Sequence, residues 1–287
     1  MSGEKVQLPV ETPLTSASQL LSGVLSNLEP GKPIDEVQIR HLKLVSSILS
    51  GLDSYLDTVS SDAPNIQEPL LRATFENDWD GAYERKETMY HLGAHWSAGA
   101  YEGNLVGLLT KLTGAKKALE IGMFTGTTTV CIASQLPTGG SVTALEIDPY
   151  LDTFTRPLFE QTGLGDKIKV KIGDARDQLA KLAENIVSPD DDAFDIIFID
   201  ADKTGYQSYF ETILDKNLLK KNGLLVVDNT LYKGSPWNKA LLDEGLLGIE
   251  KSNAEAIREF NVAVKKDARV EVVVLPVRDG VSLIMRK

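Results

Sequence analysis

The sequence predicts an α/β fold with a mostly parallel, seven-stranded sheet, helices on both faces, an antiparallel C-terminal hairpin and a helical N-terminal extension. Apolar segments alternate with segments of helical periodicity after residue 117. This alternation is typical of βαβ crossovers, which build parallel sheets covered on both faces. The last two apolar segments are joined only by a short turn, which favours an antiparallel pair.

The seven predicted strands divide into two groups. Five are linked by helical segments and are expected to run parallel: residues 118–121, 141–147, 168–172, 194–199 and 223–227. The other two, residues 270–275 and 281–285, are separated by PVRDG, whose Asp-Gly pair favours a tight turn.

The N-terminal third shows helical patterns and no sheet partner of its own. Residues 33–50 have apolar positions at helical spacing and are followed by Gly51 as a stop signal. Residues 70–111 are predicted as helices interrupted near Gly99. The predicted organisation is a flexible tail over 1–20, a helical extension over 21–97 that caps the active site or forms a dimer surface, and one α/β domain over 98–287.

Composition and charge exclude several classes of function. Hydrophobic residues make up 42% of the 287 residues and charged residues 25%, without an apolar run of about 18 residues that could cross a membrane. The formal net charge of −11 disfavours a nucleic-acid partner, because phosphate binding depends on clustered Lys and Arg; we interpret Lys220-Lys221 as a solvated helix end. The N-terminal 20 residues show no targeting signal, which predicts a cytoplasmic protein.

A glycine turn follows the first predicted strand. In residues 120–126, EIGMFTG, Gly122 is expected to bring the backbone close to a cofactor and Gly126 to keep the turn tight. A dinucleotide fold requires G-x-G-x-x-G, and Phe124 stands where the second glycine is needed, which disfavours a nicotinamide cofactor. Glu146 ends the next strand, where a carboxylate can accept both hydroxyls of a ribose.

Oxygen-bearing side chains follow two later strands. Asp200 comes directly after residues 194–199, and Asp228 and Asn229 come directly after residues 223–227. The carboxyl ends of parallel strands form the ligand-binding edge of an open sheet. Carboxylate and amide oxygens suit Mg²⁺, whereas zinc is disfavoured because the chain has no Cys/His cluster.

Two stretches around these residues resemble the motifs of a known family. IDADKTGY at 199–206 and DNTLYKG at 228–234 resemble the cation-dependent O-methyltransferases, the family of caffeoyl-CoA and catechol O-methyltransferases. The resemblance extends from Tyr101 to the C terminus. It implies a Rossmann-like class I methyltransferase fold, S-adenosyl-L-methionine and Mg²⁺ or another divalent cation as cofactors, a hydroxylated small-molecule acceptor, and a homodimer.

The resemblance also implies roles for individual residues. The metal ligands are Asp200, Asp228 and Asn229, and Lys203 is the base that deprotonates the acceptor hydroxyl. The positions implied to bind the cofactor are Ala98, Glu120, Gly122, Met123, Thr128, Glu146, Ala175 and Asp202. The candidates for contact with the acceptor are Asp200, Tyr232, Lys233 and Trp237.

The sequence leaves the acceptor open. Tyr232-Lys233 stand where the plant caffeoyl-CoA enzymes have Trp-Asn, and no CoA-contacting lysine aligns in the N-terminal region, so a CoA thioester is not favoured. GLDSYLD at 51–57 and EGN at 102–104 resemble O-methyltransferases of mycosporine-type pathways. We expect a catechol-type vicinal diol, with a cyclic enediol as the alternative. A noncatalytic cofactor-binding protein is disfavoured by the intact metal and base residues.

The expected chemistry follows from charge. A phenol has a pKa near 10 and is mostly protonated at neutral pH, as the reference value of tyrosine shows. A divalent ion stabilises the phenolate and lowers the pKa of the hydroxyl. Lys203 is expected to take the proton if the ion and burial depress its own pKa.

Two other sets of residues carry weaker signals. His91 and His95 are spaced to share one helical face with Glu87, a spacing that can bind metal, but the chain has no HExxH motif and we interpret them as surface residues. Trp79 and Trp96 are expected in the core or at an interface.

Overall fold

A computed structural model describes residues 12–62 and 64–287. Contacts divide the chain into two compact units, the first ending at Ser61 and the second covering Asp62–Lys287. Among the described helices, none combines the length and the apolar character needed to cross a membrane.

The first unit contains two helices, α1 over Pro13–Ser26 and α2 over Glu36–Val59. Asp35 and Gln38 form a reciprocal capping box at the start of α2, with N to O distances of 2.8 and 2.9 Å. A flexible tail was predicted over residues 1–20, but residues 13–20 belong to helix α1. Residues 1–11 lie outside the described residues. Gly51 does not end α2, because open space surrounds it and a glycine inside a helix costs only about 1 kcal/mol.

The second unit begins with segments that were predicted to belong to the helical extension. They are α3 over Glu68–Glu76, α4 over Trp79–Glu84, a 3₁₀ turn over Ala94–Trp96 and α5 over Gly99–Leu112. Their contacts with the later part of the chain place the unit boundary at Ser61 and not at the predicted residue 97. The amide of Gln67 donates to the carbonyl of Thr127 at 3.2 Å, and the amide of Met89 donates to Asp148 at 2.7 Å.

The prediction of a shared helical face for His91 and His95 is wrong. Residues 86–93 form no helix, and His95 lies in the 3₁₀ turn. The imidazole of His91 lies 2.6 Å from the exposed carboxylate of Asp80 and stacks on the ring of Tyr83. Helical periodicity was misleading here because the segment is held by contacts with other elements, including the bond from Met89 to Asp148.

Seven strands form one sheet in the order β3-β2-β1-β4-β5-β7-β6. The strands are β1 Lys117–Ile121, β2 Ser141–Glu146, β3 Ile168–Ile172, β4 Phe194–Ile199, β5 Leu219–Val227, β6 Val270–Leu275 and β7 Val281–Arg286. β1 to β5 are parallel, and β7 runs antiparallel to both β5 and β6. This arrangement confirms the predicted mostly parallel sheet with an antiparallel C-terminal hairpin.

Helices cover both faces of the sheet. The helices that follow β1 along the chain are α6 Thr127–Gln135, α7 Pro149–Gln161, α8 Ala175–Ala183, α9 Pro189–Asp192, α10 Tyr206–Asp215, α11 Ala240–Asp243 and α12 Lys251–Lys266. One core buries Leu119 of β1 against α10 and α12 through Phe210 and Phe260. A second core buries Ala118, the neighbouring residue in β1, against Val106 of α5 and Ile132 of α6. Alternate residues of the central strand therefore face different cores, as the period of two in a strand requires.

Strand β5 begins earlier than predicted. Lys220 and Lys221 lie inside it and do not end a helix. The pairing with β4 shifts in register between Phe194 and Ile196, which is a bulge that bends the strand ends. The ammonium of Lys220 lies 2.9 Å from the carboxylate of Asp195 in β4. Lys220, which we interpreted from the sequence as a solvated charge, is therefore paired within the sheet.

Candidate active site

Four neighbouring strands end at one edge of the sheet. Backbone hydrogen bonds continue beyond the strand ends: Gly122 donates to Leu145 at 3.0 Å, Asp200 donates to Ile121 at 2.9 Å, and Asp228 donates to Ile199 at 3.0 Å. The residues that follow β1, β4 and β5 are therefore held side by side. This is the edge of a parallel α/β sheet at which ligands bind.

Close packing as well as backbone geometry requires glycine in the turn after β1. Gly122 has φ +92°, and a Cβ atom there would lie 1.9 Å from the carbonyl oxygen of Asp200. Gly126 has φ +73°, and a Cβ atom there would lie 2.4 Å from the ring of Phe159. Phe124 between them also has a positive φ, +48°. The turn after β1 therefore sets the position of the first residue after β4.

Gly122→Ala is expected to destabilise the fold far more than Gly139→Ala. Both glycines have a positive φ, but no atom lies within 4 Å of a Cβ built at Gly139. Gly139→Ala should therefore cost only the strain of a left-handed residue, about 1 to 2 kcal/mol. Gly122→Ala adds a clash with backbone that cannot move independently of β4. Urea unfolding of both variants measures the difference, and equal free energies of unfolding would contradict this account of the turn.

Glu146, at the end of β2, has a buried carboxylate that three backbone amides hold in place. Ile147 and Asp148 donate to Oε1 at 2.8 and 2.9 Å, and Phe124 of the glycine turn donates to Oε2 at 2.8 Å. Burial raises the pKa of Glu146 although these hydrogen bonds lower it. A carboxylate accepts about four hydrogen bonds and Oε1 already accepts two, so the remaining capacity is about one bond, at Oε2. The structure therefore offers a preoriented acceptor beside the turn.

Four further cofactor candidates lie in or beside the same region. Glu120 in β1 is fully buried and accepts a hydrogen bond from the hydroxyl of Thr129, and burial raises its pKa to about 8. Thr128 is buried in the first turn of α6, and Met123 is buried with its amide 3.1 Å from the carbonyl of Leu145. Ala98 immediately precedes α5.

Ala175 and Asp202 are linked through Arg176. Ala175 begins α8, and the guanidinium of the next residue, Arg176, lies 3.4 Å from the carboxylate of Asp202. The Asp202 carboxylate also accepts hydrogen bonds from the hydroxyls of Tyr209 and Thr204. Arg176 lies 5.6 Å from the centre of the Tyr209 ring, which completes a compact polar group. The sequence analysis missed Arg176 and Tyr209, since neither forms part of a recognisable motif.

The predicted metal ligands lie beside the glycine turn. Asp228 is buried, and its pKa is raised because burial and then the nearby charge of Asp200 both disfavour its ionised form. Asn229 has φ +56°, a conformation that Asn tolerates better than most residues, and its backbone N–H donates to the carboxylate of Asp228 at 2.6 Å. Among the described residues, no three His, Cys, Asp or Glu side chains are arranged to ligate one ion. The set is therefore two carboxylates and one side-chain amide.

Lys203 is the cation next to this pair. Its ammonium lies 2.9 Å from the carboxylate of Asp200 and 2.7 Å from the hydroxyl of Tyr206. Burial lowers the pKa of Lys203, but attraction to Asp200 and interaction with Tyr206 outweigh burial and raise the pKa above its usual range. The depressed pKa expected from the sequence is therefore not found while Asp200 is paired with Lys203.

Glu102 is a further acidic residue of the site. It lies in the first turn of α5 and is only 7% exposed. Burial raises its pKa, and the charges of Asp228 and Asp200 raise it further. From the sequence, Glu102 was noted only as part of EGN at 102–104 and was assigned no role, because an acid in the first turn of a helix is common as a partner of the helix dipole.

The acceptor candidates after β5 lie in an irregular loop. Tyr232 and Lys233 both have positive φ values, +36° and +55°, and the amide of Lys233 donates to the carboxylate of Asp279 at 2.6 Å. The ammonium of Lys233 donates to the carbonyl of Leu247 at 3.2 Å. Trp237 is 68% exposed. The loop brings Tyr232 and Lys233 close to Asp279, whereas Trp237 lies largely on the surface.

Known proteins are similar to this chain over most of its length. The profile of the O-methyltransferase family matches residues 82–287. Caffeoyl-CoA O-methyltransferase of Pinus taeda is 31% identical over 260 residues, covering 90% of this chain and 92% of the relative. Tricin synthase 2 of Oryza sativa subsp. japonica is 35% identical over 200 residues, covering 69% of this chain and 66% of the relative.

The same relationship is found among solved structures. The O-methyltransferase from Bacillus cereus, solved in complex with SAH, superimposes with a TM-score of 0.67 at 26% identity and covers 83% of this chain and 97% of its own. The matched region includes every strand of the sheet and the whole edge described above. The chain therefore belongs to the O-methyltransferase family, as a class I enzyme that uses S-adenosylmethionine.

Proposed function

We propose that this enzyme transfers a methyl group from S-adenosylmethionine to one hydroxyl of a vicinal diol, most simply a catechol-type phenol, with the help of a divalent cation such as Mg²⁺. The observation that carries the proposal is the pair of carboxylates, Asp200 and Asp228, held side by side next to the glycine turn. The similarity to caffeoyl-CoA O-methyltransferase and tricin synthase supports a phenolic acceptor.

The donor set fits a divalent cation. Burial and then the nearby charge of Asp200 raise the pKa of Asp228, so full ionisation of the pair is unfavourable. A cation between them offsets this repulsion, and the amide oxygen of Asn229 is a third ligand of the kind that Mg²⁺ accepts. Bound there, a divalent cation stabilises the oxyanion of the acceptor and lowers the pKa of its hydroxyl.

Lys203 is the residue that we assign to the acceptor proton. Its ammonium stands beside Asp200, and the buried hydroxyl of Tyr206 holds it in that position. A lysine can act as a base only after it loses its own proton, and pairing with Asp200 opposes that loss. Any interaction that draws the charge of Asp200 away from Lys203 favours the neutral amine, which is the form that accepts the proton.

We assign the remaining candidates to the cofactor. The carboxylate of Glu146 accepts a ribose hydroxyl, since Oε2 retains free acceptor capacity and three amides fix its direction. Glu120 and Asp202 supply acidic groups for the positively charged methionine end. Ala98, Met123, Thr128 and Ala175 supply backbone and side-chain contacts from the end of β1 and the starts of α5, α6 and α8.

Glu146→Ala is expected to weaken binding of S-adenosylmethionine by about tenfold or more, because a hydrogen bond to a charged acceptor contributes about 1.5 to 3 kcal/mol. Glu146→Gln should be similarly defective, since its amide group would place a donor against one of the backbone N–H groups. Calorimetry measures both dissociation constants, with the exposed Glu184→Ala as the control. Unchanged affinity in Glu146→Ala would refute the ribose assignment.

The acceptor class is tested with labelled S-adenosylmethionine. Catechol-type phenols should react with kcat/KM far above that of matched monophenols at fixed Mg²⁺, because a cation held by Asp200, Asp228 and Asn229 would bind two adjacent oxygens more tightly than one and orient the nucleophile. Equal reaction of monophenols would mean that chelation plays no part. The screen includes caffeoyl esters with and without CoA and cyclic enediols, since the latter are the alternative acceptor.

The homodimer stays a prediction, which light scattering tests.

A further inference from the structure

Glu102 is a buried acidic side chain with one oxygen atom that no hydrogen-bond donor reaches. Its Oε1 atom is inaccessible to solvent and makes no hydrogen bond to any described residue. The groups that act most strongly on its charge, after burial itself, are Asp228 and Asp200. The ring of Tyr101 lies against Arg278, and the next residue, Asp279, accepts a hydrogen bond from Lys233, so the first turn of α5 lies near the loop that follows β5.

The surroundings of Glu102 do not compensate its burial. The charges of Asp228, Asp200 and Asp279 all disfavour the ionised form of Glu102. Of the charged groups that affect its pKa most strongly, Arg278 alone favours that form. The guanidinium of Arg278 lies 4.9 Å over the ring of Tyr101, the residue before Glu102. Buried polar groups in proteins are almost always hydrogen-bonded, and a missing partner is unfavourable. An unpartnered acceptor atom in a binding site therefore indicates a ligand that brings the donor.

The unpartnered Oε1 atom is not explained by a role of Glu102 as a ligand of the cation. No three acidic, His or Cys side chains in the described part of the chain converge as ligands of one ion, so Glu102 is not positioned to share an ion with Asp200 and Asp228. The Oε1 atom of Glu102 is therefore left for a donor that the acceptor brings.

We propose that Glu102 is a specificity-determining residue that accepts a hydrogen bond from a hydroxyl of the acceptor lying outside the pair of oxygens on the cation. The inference rests on the proposed function and refines it. It assigns the enzyme to acceptors that carry at least three hydroxyls, two for chelation and one for Glu102. A vicinal diol without the third hydroxyl leaves the buried carboxyl unpaired and binds less tightly.

The experiment compares catechol with 1,2,3- and 1,2,4-trihydroxybenzene, because the position of the third hydroxyl selects between two places on the ring. Calorimetry in the presence of S-adenosylhomocysteine and Mg²⁺ gives dissociation constants without turnover, and kcat/KM is measured in parallel. The wild-type enzyme should bind one of the trihydroxy compounds about twofold to tenfold more tightly than catechol, the usual size of one net hydrogen bond. No preference for either compound would overturn the proposal.

Two variants separate recognition from structure. Glu102→Leu should remove the preference and bring the ratio of dissociation constants close to one, while Glu102→Gln should retain part of it. Both should fold, because replacing an unpartnered buried carboxyl is neutral or stabilising; thermal unfolding checks this. Asp279→Asn is the matched control, since it removes a carboxylate charge near Glu102 and should keep the preference. A preference retained in Glu102→Leu would refute the assignment.

The result is distinguishable from failure of the proposed function. If wild-type methylation of catechol does not depend on Mg²⁺, the proposed function is wrong whatever the variants show. If that methylation depends on Mg²⁺ and the three compounds bind equally, only the role of Glu102 is wrong.

Discussion

Asp228→Ala is expected to abolish stimulation by Mg²⁺ and to lower turnover at pH 7 by about 10²- to 10³-fold. A phenol with a pKa near 10 is ionised to only about one part in 10³ at pH 7, so an enzyme that loses ion-assisted ionisation loses a factor of that order. The measurement is turnover against Mg²⁺ concentration, after removal of metal with EDTA and again after its return. Full wild-type activity in excess EDTA would refute the cation-dependent mechanism.

Asp195→Ala is the matched control for this experiment. Asp195 is also a partly buried carboxylate of the same sheet, but it lies near the start of β4, where it accepts hydrogen bonds from the amides of Lys116 and Lys117 and pairs with Lys220. Its removal should destabilise the fold and leave the response to Mg²⁺ unchanged. Loss of that response in Asp195→Ala would mean that sheet stability, and not a ligand, controls it.

The two aspartates should affect stability with opposite signs in the ion-free protein. The folded pKa of Asp195 is depressed because its hydrogen bonds and Lys220 outweigh burial, so Asp195 stabilises the fold above its unfolded pKa and this stability is lost as pH falls. The folded pKa of Asp228 is raised by burial and by Asp200, so its ionisation destabilises the fold at neutral pH. Asp228→Asn should therefore raise the unfolding temperature at pH 7 without added metal, whereas Asp195→Asn should lower it.

The sequence predicted the sheet and its ligand-binding edge because both follow from local patterns. Runs of apolar residues identified the strands, and parallel strands necessarily place the residues that follow them at one edge. Asp200 and Asp228 were therefore predicted as neighbours, and the bond from Asp228 to Ile199 joins the backbones at these strand ends. The same argument placed Glu146 beside the glycine turn, where Phe124 donates to it.

Other features depend on packing that has no local pattern. Gly122 was predicted for access to a cofactor, but the carbonyl of Asp200 already excludes a side chain there. The start of β5 was missed because Lys220 and Lys221 resemble a solvated helix end, and only the pair with Asp195 shows otherwise. Glu102 was missed because its environment is created by the ends of β4 and β5, which are about 100 residues away in the chain.

Lys203→Met is expected to lower turnover by about 10²-fold or more, the usual contribution of a general base. Met removes the amine and retains much of the side-chain volume. Affinity for S-adenosylmethionine should change little, and affinity for Mg²⁺ should not fall, since Lys203 competes for Asp200 at 2.9 Å. Single-turnover rates together with calorimetry separate these effects. Equal losses in cofactor binding and in turnover would make Lys203 a binding residue.

Lys203→Arg decides whether Lys203 acts through its proton or through its charge. Arginine keeps the positive charge beside Asp200 but does not lose its proton in proteins. A base role predicts that the Arg variant is as defective as the Met variant, and that both recover as pH rises towards about 10, where a phenol ionises without help. If Arg restores turnover at pH 7, the charge of Lys203 is sufficient. In that case the pairing with Asp200 is the working state of the residue, and the acceptor proton leaves by another route.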